Sequence, residues 1–329
     1  MTIAIIGAGV AGLSCAVALI SAGHEARLFD KGRGPGGRLS TRRAETPFGQ
    51  ARFDHGAQYF SARSEAFREA VAAWAAAGAV SRWDGRVMAQ QDDGHWYDKP
   101  SDGPRWVGSP SMNAIVKHMS KALRVDWQRR ATTLQKGEDG WRIDFEDASH
   151  DGPFTHVICA VPAEQVSDLL TPHAPAFADA ASAIISTPCW TVMAAFNDAV
   201  DAGWDGALPV SSPLSWVCCN SAKPERDGPE AWVLHASAEW SMAHLEDTPD
   251  TVIEALVAAF VAVTGGPVPD FTSAHRWRYA FPGVQSALAQ SLFDSTLGIG
   301  ACGDWLVAPN IEGAWTSGVH LARKLISQA

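Results

Sequence analysis

The stretch from Ile3 to Asp30, IAIIGAGVAGLSCAVALISAGHEARLFD, decides the fold. Ile3 to Ile6 is a continuous apolar run, the pattern of a parallel strand covered on both faces. Gly7, Gly9 and Gly12 follow as G-x-G-x-x-G, and residues 11–22 read as a buried helix of small and apolar residues. Ala26 to Phe29 reads as a second strand, closed by Asp30, 18 residues after Gly12. An acid at this spacing is what turns a glycine-rich turn into a dinucleotide site. Gly7 permits the sharp turn, Gly9 lets the backbone approach a pyrophosphate, and Gly12 lets helix and strand pack closely. The helix N-terminus then offers unpaired N–H groups and partial positive charge to phosphates. Asp30 is placed to accept hydrogen bonds from ribose hydroxyls.

Residues 1–23 carry no charged side chain and imitate a leader or a membrane span. The positively charged start of a signal peptide is missing, and the glycines interrupt the apolar run early. The expectation is a cytoplasmic chain with no membrane partner. The six Cys form no C-x-x-C pair and no metal-ligand spacing, so they read as reduced, buried thiols and no metal is expected. A formal charge of −10 over 329 residues argues against nucleic acid as a partner. The chain is long enough for one large domain or two ordinary ones.

Further along, Phe67, Val71 and Trp74 recur at helical spacing. Ser109 and Pro110 read as N-cap and first position of a helix whose buried face is Met112, Ile115, Val116, Met119 and Leu123. Trp141–Glu146 and His156–Val161 read as strands. From about 176 to 284 the pattern becomes short strands, at 190–196, 214–219 and 232–236, between Pro- and Gly-rich turns. One helix interrupts them, from Pro249 to Val263, capped by Thr248 and stopped at Gly265 and Gly266. The α/β pattern returns at 297–302 and in a last helix near 312–327. The expected fold is therefore α/β plus α+β. A Rossmann-like nucleotide-binding domain is assembled from 1–60, 105–175 and 285–329, and a mostly antiparallel substrate domain from 61–104 and 176–284. Nine of the fourteen Trp fall in the latter segments.

Lys31-Gly32-Arg33-Gly34-Pro35-Gly36-Gly37-Arg38 separates flavin from nicotinamide as the bound nucleotide. Its glycines, Gly37 among them, admit a pyrophosphate from the other side, and Arg38 supplies cationic compensation. At the far end Gly303-Asp304 follows an apolar strand, and Glu312-Gly313-Ala314 opens the last helix. That helix can aim N–H groups at the pyrimidine edge of a flavin.

The chain resembles the bacterial renalase-like branch of the flavin amine oxidase superfamily. The segments that carry the likeness are IAIIGAGVAGLSCAVAL, LFDKGRGPGGRLSTRR, FDHGAQYFSAR, RWVGSPSMNAIVKHM, THVICAVPA, NSAKPERD, HRWRYA and ACGDWLVAPNIEGAWTSG. The resemblance implies non-covalent FAD in a fold like p-hydroxybenzoate hydroxylase. It also implies a metabolite-repair reaction: isomeric 2- and 6-dihydro forms of NAD(P) are oxidised to NAD(P)+, and O2 is reduced to hydrogen peroxide. By the same likeness, Gly56 and Ala57 approach the flavin by backbone, and Lys31 and Ala131 lie in the nucleotide site, Ala131 pairing adenine through its backbone. Gln58 and Tyr59 contact ring or substrate. His55 departs from the family pattern and receives no role.

Nominated for the substrate wall are His235, Arg276, Trp277 and Tyr279. Each has a competing structural reading: a satisfied core histidine, a surface ion pair, or packing. Two other functions stay open beside the dihydronicotinamide oxidase. One is an amine oxidase for a small cationic amine, which the negative net charge favours. The other is a flavin-binding regulator without turnover.

Overall fold

In a computed structural model, residues 1–283 and 289–328 are described. The nucleotide half is a six-stranded sheet in the order 292–294, 299–301, 156–159, 2–6, 25–30, 124–127. All its pairings are parallel except 292–294 with 299–301. Its central strands are apolar on both faces, because the Val10–Ser21 and Ile311–Ser327 helices cover one side and the 163–182 helices the other. The two helices on the first side meet so closely that a Cβ on Gly318 would lie 2.1 Å from the Ala11 carbonyl oxygen.

The second sheet has seven strands in the order 271–282, 186–196, 230–236, 214–219, 206–208, 87–90, 96–98. It is antiparallel apart from 206–208 with 87–90. Its two faces have different partners. The Pro249–Thr264 helix packs Val252, Leu256 and Phe260 against Val192, Val217, Trp232 and Leu234. On the other face, Met193, Ala195, Ala231 and Val233 pack on Ala51 and Phe53 of the Thr41–Thr46/Gly49–Asp54 hairpin. The 284/285 boundary expected between the domains lies outside the described residues.

Thr248 caps the Pro249–Thr264 helix as its sequence suggests, and Gly265 ends it in the left-handed region at φ 68°. The expectation at Ser109 and Pro110 fails. The helix runs Ala114–Ser120 with Asn113 at its N-cap, and Leu123 lies beyond it. The cause is Asp54: its carboxylate takes the Met112 N–H at 3.0 Å, so residues 109–112 turn around a buried acid instead of starting a helix. All six cysteines are free and buried, and no helix among the described residues is long and apolar enough to cross a membrane.

Candidate active site

The glycine turn holds the geometry its spacing predicts. Gly7 sits at φ 105°, and a Cβ there would lie 2.3 Å from the Ala160 carbonyl oxygen. A Cβ on Gly12 would lie 2.0 Å from the Gly7 carbonyl oxygen. Gly9 differs from both. Its φ of −78° suits any residue, and a Cβ there would meet nothing within 4 Å. No intramolecular contact explains glycine at that position, whereas a ligand lying against the backbone does. Asp30 accepts from the Ala8 N–H and the Gly32 N–H, both at 2.7 Å. Each carboxylate oxygen keeps a second lone pair for a ribose hydroxyl. This donor set fits the adenosine diphosphate part of FAD.

Beside Asp30, the Arg129 and Gln128 amides donate to the Asp30 and Gly32 carbonyls at 2.8 and 2.9 Å. This brings Ala131 to the edge of the nucleotide turn, paired with Phe145. Lys31 approaches Gln165 at 3.4 Å, and burial followed by Arg130 lowers its pKa.

Arg38 and Asp304, 266 residues apart, form a two-pronged ion pair with both contacts at 2.7 Å. Arg38 also donates to the Ala280 carbonyl at 3.3 Å. Gly37 opens this turn at φ 57°. A Cβ on Gly303 would strike the Trp305 indole nitrogen at 2.4 Å. Arg38 therefore balances a protein carboxylate as well as any phosphate.

The start of the last helix is largely taken up by protein partners. Asn310 caps it by accepting from the Gly313 N–H at 2.7 Å, and the Ala314 N–H donates to the Asn310 carbonyl at 3.1 Å. A Cβ on Gly313 would lie 2.1 Å from the Ala308 carbonyl oxygen. The Glu312 carboxylate points to a neighbouring segment. It accepts from the Arg63 and Ser64 amides at 2.9 and 2.8 Å, just before the Glu65–Ala76 helix that the Ser64 side chain caps.

Between the two sheets, the loop His55–Tyr59 is held by a buried charge cluster that the sequence reading did not see. Asp54, Lys223 and Arg226 are each within 5% of complete burial. Arg226 donates to Asp54 Oδ2 through Nε at 3.1 Å and Nη2 at 2.7 Å. Lys223 Nζ lies 3.7 Å from the same oxygen, and Thr41 donates to Oδ1 at 2.6 Å. Burial pushes the Asp54 pKa up, but Lys223, Arg226 and these hydrogen bonds hold it below the ordinary carboxylate value. Two cations against one carboxylate leave the cluster net positive. Lys223 also donates to Gln58 Oε1 and Asn220 Oδ1, both at 3.1 Å. Gln58 donates onward to the Asp54 and Gly56 carbonyls. A Cβ on Gly56 would lie 2.1 Å from the Arg38 carbonyl oxygen, which takes the Ala57 N–H at 2.8 Å. The family-like segment NSAKPERD thus supplies Asn220, Lys223 and Arg226, whose buried charge was the missed signal.

The wall opposite is the hairpin-facing side of the seven-stranded sheet. Cross-strand register aligns His275, Thr191, His235 and Trp216 in one row. His235 approaches the His55 carbonyl at 3.3 Å and Gln58 Nε2 at 3.4 Å. Burial pushes its pKa down to about 4. His55, given no role from sequence, is central: its ring stacks on Trp277 at 5.1 Å and meets His275 edge-on at 4.9 Å. Its carbonyl accepts the Trp277 indole N–H at 3.0 Å. Burial, then His275, brings the His55 pKa down to about 4. Tyr59 lies 5.8 Å from Trp83 and 5.6 Å from Trp216.

Arg276 does not join this wall. Neighbours in a strand point to opposite faces, so with Trp277 on the His55 side Arg276 lies on the helix-covered side. There it contacts Glu246 at 2.9 Å and lies 5.3 Å from the Trp190 ring centre. Tyr279 shares the parity of Trp277 but is 38% exposed near the end of the strand.

Residues 5–74 match the NAD(P)-binding Rossmann-like domain family, and residues 81–326 match the family of flavin containing amine oxidoreductases. Three solved structures share the fold at low identity. A putative protoporphyrinogen oxidase from Exiguobacterium sp. 255-15 is 10% identical, over 100% of this chain and 99% of that one, with TM-score 0.80. A triple mutant of putrescine oxidase is 14% identical, with full coverage of both chains and TM-score 0.76. Cyclohexylamine oxidase from Brevibacterium oxydans IH-35A is 12% identical, over 100% of this chain and 99% of that one, with TM-score 0.76. With three quarters of its length matched, the chain belongs to the flavin-containing amine oxidoreductases, and a flavin is its cofactor.

Proposed function

We propose that this oxidoreductase binds FAD non-covalently and oxidises isomeric dihydronicotinamide dinucleotides, the 2-dihydro form and also the 6-dihydro form, to NAD(P)+. We divide the work between a nucleotide domain of segments 1–60, 105–175 and 285–329 and a substrate domain of 61–104 and 176–284. When bound, FAD supplies the hydride acceptor and passes the electron pair to O2 as hydrogen peroxide.

The observation that carries the substrate reading is the charge around the His55–Tyr59 loop. Its one buried carboxylate, Asp54, is already held by Lys223 and Arg226. Among the described residues, a cationic amine would find a net positive cluster behind this loop and no unpaired buried carboxylate there, whereas a flat neutral ring meets aromatic surface on the wall opposite. Trp277 and His55 offer stacked planes, and Tyr59 lies beside Trp83 and Trp216. Oxidising a dihydropyridine to a pyridinium removes hydride and no proton, so neutral histidines suffice: the wall has to orient the ring and exclude water. Gln58, locked by Lys223, keeps the Gly56–Ala57 backbone in place.

The amine oxidase reading is favoured by the names of two structural neighbours, a putrescine oxidase and a cyclohexylamine oxidase. Mixing the holoenzyme aerobically with the 2-dihydro dinucleotide tests the proposal. Equal amounts of NAD+ and hydrogen peroxide are expected; consumption of the dinucleotide without peroxide would overturn it.

A further inference from the structure

The buried cluster behind the His55–Tyr59 loop holds one more cation than anion. Among the described residues, Asp54 is the one carboxylate that pairs with Lys223 or Arg226. Arg226 takes it through two nitrogens and turns to the Pro224 and Gly108 carbonyls besides. Lys223 is left with two neutral amide oxygens at 3.1 Å, those of Gln58 and Asn220, and with Asp54 at 3.7 Å. Its side chain is fully enclosed. His55 and His235, which pack on the same loop, are held neutral and add nothing to the sum.

A buried ion without its own partner destabilises a fold. Without Lys223, Asp54 and Arg226 would stand balanced. An uncharged donor would serve Gln58 and Asn220 as well, so the fold gives no reason for the charge. The chemistry of the cofactor does. A hydride carries two electrons and one proton, so a neutral flavin that accepts it gains one negative charge, whatever the donor. A fixed cation near the ring favours that anion over the neutral oxidised form, and more strongly in a dry interior than in water.

The cluster is joined to the glycine-rich turn by two routes. The Ala57 N–H, three residues after Asp54, donates to the Arg38 carbonyl at 2.8 Å. The Met112 N–H donates to Asp54, and the next side chain, Asn113, donates to the Pro35 carbonyl at 3.3 Å. Lys223 itself reaches the loop through Gln58.

We propose that Lys223 is a fixed counter-charge for the reduced flavin and raises its reduction potential. The inference rests on the His55–Tyr59 loop lying against the flavin ring, and not on which donor reduces it.

The test is the midpoint potential of the holoenzyme, titrated anaerobically against a reference dye. Two variants approach the charge from opposite sides. Lys223→Gln removes the cation and keeps a donor for Gln58. Asn220→Asp keeps the oxygen that Lys223 uses and supplies the missing anion, held ionised by Lys223. It gives up one hydrogen bond, from Nδ2 to the Arg52 carbonyl. Each should lower the affinity for reduced relative to oxidised FAD about tenfold, a fall of about 30 mV for a two-electron couple. A residue that only braces the loop would not move the potential the same way in both. An unchanged or higher potential in either folded variant overturns the proposal, and one folded variant is enough to decide it. Ala57→Val alters the loop and no charge, and it should shift the visible flavin spectrum. That shift, with the potential unchanged in the charge variants, removes the role of Lys223 alone. A spectrum unmoved by Ala57→Val removes the loop from the flavin, and the proposal with it.

Discussion

The turn after Thr2–Ile6 and the Phe271–Pro282 strand both serve the candidate site, but they place residues by different rules. In the turn, function follows backbone position. Gly7, Gly9 and Gly12 are set by the spacing of a strand, a loop and a helix, and their roles can be read from that spacing alone. In the strand, function follows parity. HRWRYA puts its aromatic and basic residues at adjacent positions, and a period of two sends Trp277 toward His55 and Arg276 toward Glu246. A motif on a loop can act as a unit, whereas a motif on a strand is divided between two faces.

Substitutions can break that comparison, beginning with the largest effect. Gly12→Val drives a side chain into the Gly7 carbonyl, 2.0 Å from the Cβ position. It should abolish soluble folded protein. Gly9→Val, in the same turn, has open space and an ordinary φ. It should purify folded but without yellow colour, melting close to the parent stripped of its flavin. Flavin content and circular dichroism separate the two, and a yellow Gly9→Val protein would remove the pyrophosphate from that position.

Next in size is Asp54→Asn, which leaves Lys223 and Arg226 buried without a counter-ion. Breaking a buried pair in this way costs about 3–5 kcal/mol. A chemical denaturation midpoint close to the parent's would show that the cluster does not brace the His55–Tyr59 loop.

The pH dependence is smaller and carries a definite sign. His55 and His235 are held neutral at about 4, against 6.5 for an ordinary imidazole. Between those values the unfolded chain takes up protons that the fold refuses. Stability is therefore fully present above 6.5 and declines as pH falls toward 4. Melting temperature against pH should show that decline, and His55→Phe should flatten it. A profile unchanged by that substitution would contradict the assignment.

The smallest effect belongs to Arg276→Ala. Its partner Glu246 is mostly exposed, and an exposed ion pair contributes about 0–1 kcal/mol. Substrate affinity should not change, whereas Trp277→Ala, one residue along, should weaken it.

What the sequence allowed follows the same division. The nucleotide fold was legible because strand, glycine turn, helix and acid are consecutive. The Pro249–Thr264 helix was legible from Thr248 and Gly265. Asp54, Lys223 and Arg226 were not, since their pairing joins residues some 170 positions apart and buried charge leaves no periodic signal. A still longer separation, 266 residues, hides the Arg38–Asp304 pair, although each residue stands out separately in the sequence. Position alone marks Glu312 as part of the opening turn of the last helix, whose N–H groups are expected to face the flavin; only the neighbouring Arg63 and Ser64 amides show where its carboxylate goes. His55 stood out only as a departure from a family pattern, and its stacking on Trp277 needed the strand register to appear.

The central claim is that this wall receives a flat dihydronicotinamide and not a cationic amine. Anaerobic mixing of the yellow holoenzyme with each donor in turn tests it most directly. The account predicts full bleaching of the flavin absorbance by the 2-dihydro dinucleotide and none by putrescine or cyclohexylamine. Bleaching by an amine with the dinucleotide inert would contradict it.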